Sequence, residues 1–247
     1  MMPFHYSRIS QAFIKELAER VLGGESVVLL GPRYGGKRYT MSHLRALLQD
    51  AGVAPLVQMK LLRETPVTTE QEAVELMMQA IADAGLNSGH TEHASDDLFE
   101  PIDRLSSESG KPVILLAANV DGMAHHVARC FLEGVRTRVE SGRLVAVLSG
   151  EDDFRDLVHG PQSEFNCANQ FVLQGFAEDE FNHVVCEYAR PFHIEFESPQ
   201  EASRHLYQLT GGNIYLLRQL LWAVVESRAR SNGSPGAPYN APQNLDH

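Results

Sequence analysis

Apolar residues follow two alternating rhythms along most of this chain. Phe13, Ile14, Leu17, Val21 and Leu22 recur at helical spacing within residues 10–22, and Gly23-Gly24 ends that helix. The apolar run Val27 to Gly31 reads as a buried strand, and Met41, Leu44, Leu47 and Leu48 mark a helix reaching about Gly52. Pro55–Leu62 reads as a second strand. Thr69, with Glu72 three residues later, has capping-box spacing and opens a helix striped by Val74, Met77, Met78 and Ile81. A polar loop spans Asn87–Ser95, and a short helix through Leu98, Ile102 and Leu105 stops at Gly110. Pro112–Val120 is a continuous apolar run, as expected for a parallel strand covered on both faces. Val127, Cys130, Phe131, Val135 and Val139 then keep helical register. Leu144–Ser149 is another buried strand, and Phe171–Leu173 a short last one.

This alternation predicts an α/β fold with a doubly wound, mostly parallel sheet. After about Gly175 the pattern turns to helices only, near 177–190, 198–210 and 213–230. In the last of these Leu216, Leu217, Leu220, Leu221, Val224 and Val225 form a stripe of core or interface character. The expected domains are an α/β domain over 1–175, a small helical lid over 176–230, and a disordered tail or linker over 231–247, rich in Gly and Pro. The sequence contains no internal repeat.

One loop in this frame carries chemistry. Gly31, Gly36 and Lys37 stand at the spacing G-x-x-x-x-G-K, between a strand and a helix, which is the setting a phosphate-binding loop requires. Glycines let the backbone curl so that successive N–H groups face phosphate oxygens, and the following helix adds its positive end. Lys37 would neutralise the β/γ-phosphates. The candidate nucleotide-binding residues are Gly31, Pro32, Arg33, Tyr34, Gly35, Gly36, Lys37, Arg38 and Tyr39. The motif breaks at its last position, where Arg38 replaces the Ser or Thr whose hydroxyl holds Mg²⁺. Two readings of Arg38 stand: its guanidinium takes the metal's place and pairs with phosphate, or it points into solvent beside a dead site.

Charge and cysteine content narrow the picture. The 247 residues carry a net charge of −11, which gives no support to a general nucleic-acid surface. Cys130, Cys167 and Cys186 lie far apart with no C-x-x-C pair, and read as reduced, mostly buried thiols of a cytoplasmic protein. The opening Met-Met-Pro-Phe-His-Tyr lacks the pattern of a signal peptide, and no segment reaches 18 consecutive apolar residues.

Taken in order, these motifs resemble those of the AAA+/STAND P-loop ATPases, especially bacterial proteins akin to origin-recognition ATPases, over roughly residues 5–228. Tyr6-Ser7-Arg8 and the helix after it are similar to the "GRe" helix that precedes the phosphate loop in these families. Gly31-Pro-Arg-Tyr-Gly-Gly-Lys37 is similar to their G-P-R-x-x-G-K, and Val113–Met123 occupies the place of the acidic motif. Leu144–Gly150 resembles a strand ending in a polar sensor, and Leu209–Leu217 the lid motif "TGGNPxLL". The resemblance implies a P-loop NTPase fold, ATP or ADP as ligand, and nucleotide held between sheet domain and lid. It also exposes departures. The family places Asp-Glu after the apolar strand, for Mg²⁺ and for the attacking water, where this chain has Ala118 and Asn119. Neither Asp121 nor Thr40 stands in an obvious replacing position. Ile214 replaces the lid proline.

Weaker signals complete the inventory. His90, His93, Asp96 and Asp97 have metal-capable side chains but read as a polar loop, so no metal site is assigned. His125-His126 reads as a solvated or capping pair. Arg136, Arg138 and Arg143 stand where related ATPases carry an arginine finger, with surface charge the better reading. Asn119 and Ser149 remain as candidate catalytic residues, Ser149 through the γ-phosphate or its water. The acidic run Glu151-Asp152-Asp153 equally reads as capping the next helix. Three functions are compatible with all this: a regulatory ATP/ADP-binding module with weak or absent hydrolysis, acting on an attached domain, a protein partner or another copy of itself; a pseudo-ATPase scaffold that binds no nucleotide; and an active ATPase with displaced metal ligands.

Overall fold

The computed structural model describes residues 4–62, 65–86, 97–159 and 165–231. Two compact units divide the chain, Met1–Gly175 and Phe176–His247. Among the described residues, the first is built on β1 (Phe4–Ile9), β2 (Val27–Leu30), β3 (Leu56–Lys60), β4 (Val113–Ala118), β5 (Leu144–Gly150) and β6 (Asn169–Phe176). They form one sheet in the order β1-β6-β2-β5-β4-β3. The pairings β6–β2, β2–β5, β5–β4 and β4–β3 are all parallel. Every residue of β2 and β5 is buried, which is why both read as unbroken apolar runs.

Helices α1 (Gln11–Leu22), α2 (Lys37–Ala51), α3 (Glu70–Asp83), α4 (Glu100–Ser109), α5 (His125–Glu140) and α6 (Asp152–His159) cover the sheet. On one face Val28, Leu30, Met59, Leu115 and Leu148 pack with Met77, Ile102, Phe131 and Phe154 in a single core. The other layer is α1 against α2, with the Phe13 ring 5.7 Å from that of Phe171. Local chemistry fixes the helix starts. Ser10 accepts from the Phe13 N–H at 3.0 Å to cap α1. Thr69 and Glu72 make the expected capping box on α3, and the Thr68 and Thr69 N–H groups hold the Glu72 carboxyl below its ordinary range.

The second unit contains α7 (Glu178–Ala189), α8 (Pro199–Thr210) and α9 (Ile214–Ser231). The Phe181 and Tyr207 rings meet edge-on at 5.4 Å, and those of Phe192 and Trp222 at 6.2 Å. The α9 stripe divides: Leu217 and Leu221 are buried, whereas Leu216 and Val224 are exposed. Neighbouring residues on a helix differ by about 100° in direction, so six apolar positions cannot all face one partner.

The structure corrects the sequence reading in three places. Strand β1 was not expected, and β6 runs for eight residues rather than three. The cysteines are not mostly buried, since Cys130 and Cys186 are exposed and Cys167 is half-buried. Desolvation, then the Glu70 carboxylate, pushes the Cys130 thiol up, and burial does the same for Cys167. The Asn87–Ser95 loop, with His90, His93 and Asp96, and the tail beyond Ser231 lie outside the described residues.

Candidate phosphate-binding site

The G-x-x-x-x-G-K loop leaves the carboxyl end of β2, the strand between β5 and β6, with Leu30 in register with Gly150 and Val172. Ligands of open α/β sheets bind at that end, where the strand order reverses. The loop curls through two left-handed residues, Tyr34 at φ 60° and Gly36 at φ 87°. Tyr34 is an uncommon residue there, and the Arg33 guanidinium lies 4.9 Å from its ring centroid. The Gly35 N–H donates to the Pro32 carbonyl at 2.9 Å, and a Cβ at Gly35 would lie 2.9 Å from that oxygen. No other residue fits Gly35 without moving the loop.

Lys37 begins α2 and is buried. Its Nζ donates to the carbonyls of Gly31 at 2.6 Å and Pro32 at 2.8 Å. The ammonium is therefore held over the loop by the loop's own backbone. Arg38 follows it on the first turn and is exposed. Tyr39 is half-buried, its ring stacked on His43 at 3.9 Å and its hydroxyl accepting from Gln11 Nε2 at 3.2 Å. Thr40 is fully buried and donates to the Gly36 carbonyl at 3.1 Å, so its hydroxyl serves the helix.

At the ends of β4 and β5 the remaining candidates meet. Asn119 takes a left-handed conformation, φ 59° and ψ 49°. Its backbone N–H donates to the buried Ser149 Oγ at 3.2 Å, and its side-chain amide donates to the Leu61 carbonyl at 3.3 Å. Asn119 thus ties the ends of three neighbouring strands, a structural role that no sequence signal announced. Asp121 follows in the 3-10 turn Val120–Gly122 and is half-buried. Glycine at 150 is needed because a Cβ there would lie 2.4 Å from the Phe154 ring.

The donor set fits a phosphate chain and does not fit the usual Mg²⁺. Lys37 and the curled backbone supply positive potential. Position 38 is a cation, position 118 a methyl, position 119 a neutral amide committed to Leu61, and the Thr40 hydroxyl is committed to Gly36. Among the described residues no three His, Cys, Asp or Glu side chains gather as a metal site.

The arginines before β5 are occupied elsewhere. Arg138 bridges Asp103 at 2.9 Å and Asp97 at 2.7 Å and lies over the Phe99 ring, Arg143 reaches Asp103 at 3.3 Å, and Arg136 pairs with Glu140 at 2.8 Å. Arg138 staples α5 to α4, Arg143 ties the start of β5 to α4, and Arg136 pairs within α5, which supports the surface-charge reading over an arginine finger. His125 and His126 are exposed at the start of α5. Among the described residues no helix is long and apolar enough to cross a membrane.

In the second unit, Thr210-Gly-Gly-Asn213 joins α8 to α9. Gly211 closes α8 at φ 59°, and Gly212, at φ 81°, leaves no room for a Cβ, which would lie 2.4 Å from the Phe176 carbonyl oxygen. The Asn213 side chain accepts from the N–H groups of Tyr215 at 2.9 Å and Leu216 at 3.2 Å, capping α9. Ile214 then occupies a first-turn position where proline is equally acceptable.

No protein-family model and no curated protein sequence matches this chain. Solved structures do. Cdc6p from Pyrobaculum aerophilum superposes with a TM-score of 0.63 at 16% identity, covering 95% of this chain and 65% of its own. The ORC2 protein of Aeropyrum pernix, in ADPNP and ADP complexes, gives 0.59 at 15% identity, over 96% of this chain and 67% of its own. Domain III of the replication initiation protein DnaA from Thermotoga maritima gives 0.54 at 14% identity, over 94% and 90%. The chain thus spans about two thirds of the two archaeal proteins. At these identities the likeness is one of fold: the chain shares with these three structures a P-loop NTPase-like α/β fold with helices at its C-terminal end.

Proposed function

We propose that this chain is a nucleotide-binding module that holds ATP or ADP on the Tyr34–Lys37 backbone and the Lys37 ammonium, with weak or absent hydrolysis. One observation carries the reading: a curled glycine loop at the reversal point of a parallel sheet, with Lys37 Nζ held at 2.6 Å and 2.8 Å over its carbonyls. The ADPNP and ADP complexes of the A. pernix protein, which has the same fold, support the choice of ligand. Weak turnover follows from Ala118, which cannot hold a metal-bound water, and Asn119, which cannot take a proton. A module that binds without consuming nucleotide acts as a switch or scaffold for an attached domain, a partner protein or a second copy.

The scaffold reading that needs no nucleotide is favoured by the same lysine, because its ammonium is already satisfied by two carbonyls. Calorimetric titration with ATP and ADP, on the natural chain and on Lys37→Ala, separates the two. Binding that weakens at least tenfold on Lys37→Ala supports the module, and no binding to the natural chain leaves the scaffold.

A further inference from the structure

The misfit between this site and Mg²⁺ has a chemical answer within the chain. Residues 26–49 contain Arg33, Lys37, Arg38 and Arg45 and no Asp or Glu, in a chain of net charge −11. Arg33 lies over Tyr34, Lys37 over the loop carbonyls, and Arg45 donates to Gln58 Oε1 at 2.7 Å. Arg38 is exposed on the first turn of α2, beside the helix end that faces the loop. It stands at the position where a metal-holding hydroxyl belongs. The nearby Thr40 cannot supply one, being fully buried and bonded to Gly36.

We propose that the site binds the polyphosphate of a nucleotide without a divalent cation, with the Arg38 guanidinium supplying the charge that Mg²⁺ contributes elsewhere. The proposal rests on the nucleotide-binding reading above. A guanidinium presents a planar fork of donors that matches two phosphate oxygens, remains charged at any physiological pH, and loses less hydration than an ammonium. It differs from a metal in one functional respect. It neutralises charge but activates no water, so binding is retained while turnover is not. Loss of carboxylates at positions 118 and 119 then carries no binding penalty, because there is no cation for them to hold.

The test is calorimetric titration of the full chain with ATP and with AMP, in EDTA and in excess Mg²⁺, for the natural protein, Arg38→Gln and Arg38→Ser. Far-UV circular dichroism checks that both variants are folded, as an exposed position leads one to expect. The expected result is ATP affinity in EDTA within tenfold of that in Mg²⁺, and a loss of about tenfold or more in EDTA on Arg38→Gln, larger for ATP than for AMP. Added Mg²⁺ should recover part of that loss in Arg38→Ser, which regains a hydroxyl, and none in Arg38→Gln. A thousandfold loss of natural-protein affinity in EDTA overturns the proposal and leaves the nucleotide reading intact. Equal EDTA affinities of the natural protein and Arg38→Gln overturn the role of Arg38. No ATP binding in either buffer overturns both readings together.

Discussion

Replacing Asn119 by Glu is the substitution that would reinstate a general base at the end of β4, and the structure predicts that it damages the fold first. Asn119 sits at φ 59° and ψ 49°, a region in which Asn is tolerated and a Glu side chain costs about 1 kcal/mol. The change also removes the amide donor to the Leu61 carbonyl, a bond of 3.3 Å whose loss costs about 1 kcal/mol. The sum is about 2 kcal/mol, or about 4–8 °C in melting temperature for a unit of this size. Asn119→Gly keeps the backbone conformation and loses the bond, and Asn119→Asp does much the same, so each should cost about 1 kcal/mol. Urea unfolding followed by far-UV circular dichroism reads the series. The single tryptophan, Trp222, lies in α9 and reports the second unit instead. Hydrogen exchange should localise the loss to the amides of Leu61 and Asn119. A Glu variant within 0.5 kcal/mol of the natural protein, a margin typical of surface substitutions, would show that Asn119 does not tie the strands together.

Three further outcomes are expected. Phosphate release should be negligible for the natural chain and for Asn119→Glu alone, while Arg38→Thr, Ala118→Asp and Asn119→Glu together should give detectable release despite the stability cost, because such groups act as a unit; natural turnover near ~1 s⁻¹ or faster would mean that Asp121, Ser149 or a partner supplies the chemistry. Thr69→Ala should destabilise α3 by about 1 kcal/mol. Because the Glu72 carboxyl is held below its ordinary range, its share of that cap is fully present above its unfolded value of about 4.3 and fades as pH falls through the lower folded value, which a pH series of Glu72→Gln against the natural protein would reveal. Gly212→Ala, at φ 81° with Phe176 O 2.4 Å from the new Cβ, should destabilise the second unit by about 3 kcal/mol, read by Trp222 fluorescence during urea unfolding.

Elements whose signal is local were legible in the sequence. The apolar run of β2, the glycines and lysine after it, the Thr69–Glu72 box and the continuous strands β4 and β5 all declare themselves within a few residues. What stayed hidden depends on distant partners. The strand Phe4–Ile9 carries His5, Ser7 and Arg8 and presents no run or helical stripe. β6 extends past its apolar centre because Gln170 is buried with its amide on the Val158 carbonyl at 2.9 Å, a partner supplied by α6. Cys130 lies at the edge of its helical stripe, where a small rotation decides between core and solvent. Arg138 finds Asp103 across 35 positions of sequence. At the site itself, the loop could be named residue by residue, but the tie made by Asn119 rests on a backbone conformation and on Leu61, 58 residues earlier, which no spacing rule connects.

The Thr210-Gly-Gly-Asn213 turn bears on how such a chain changes over evolutionary time. Each of its last three residues answers to a demand of folding: a left-handed helix end, a backbone approach that excludes a Cβ, and a cap for α9. None of those demands involves a ligand. Selection for a folded second unit is therefore enough to preserve these three residues even where selection for turnover lapses, while Ala118, under no such demand, is free to drift. A search for related chains that have kept binding and lost catalysis should weight the turn as evidence of ancestry and the phosphate loop as evidence of use.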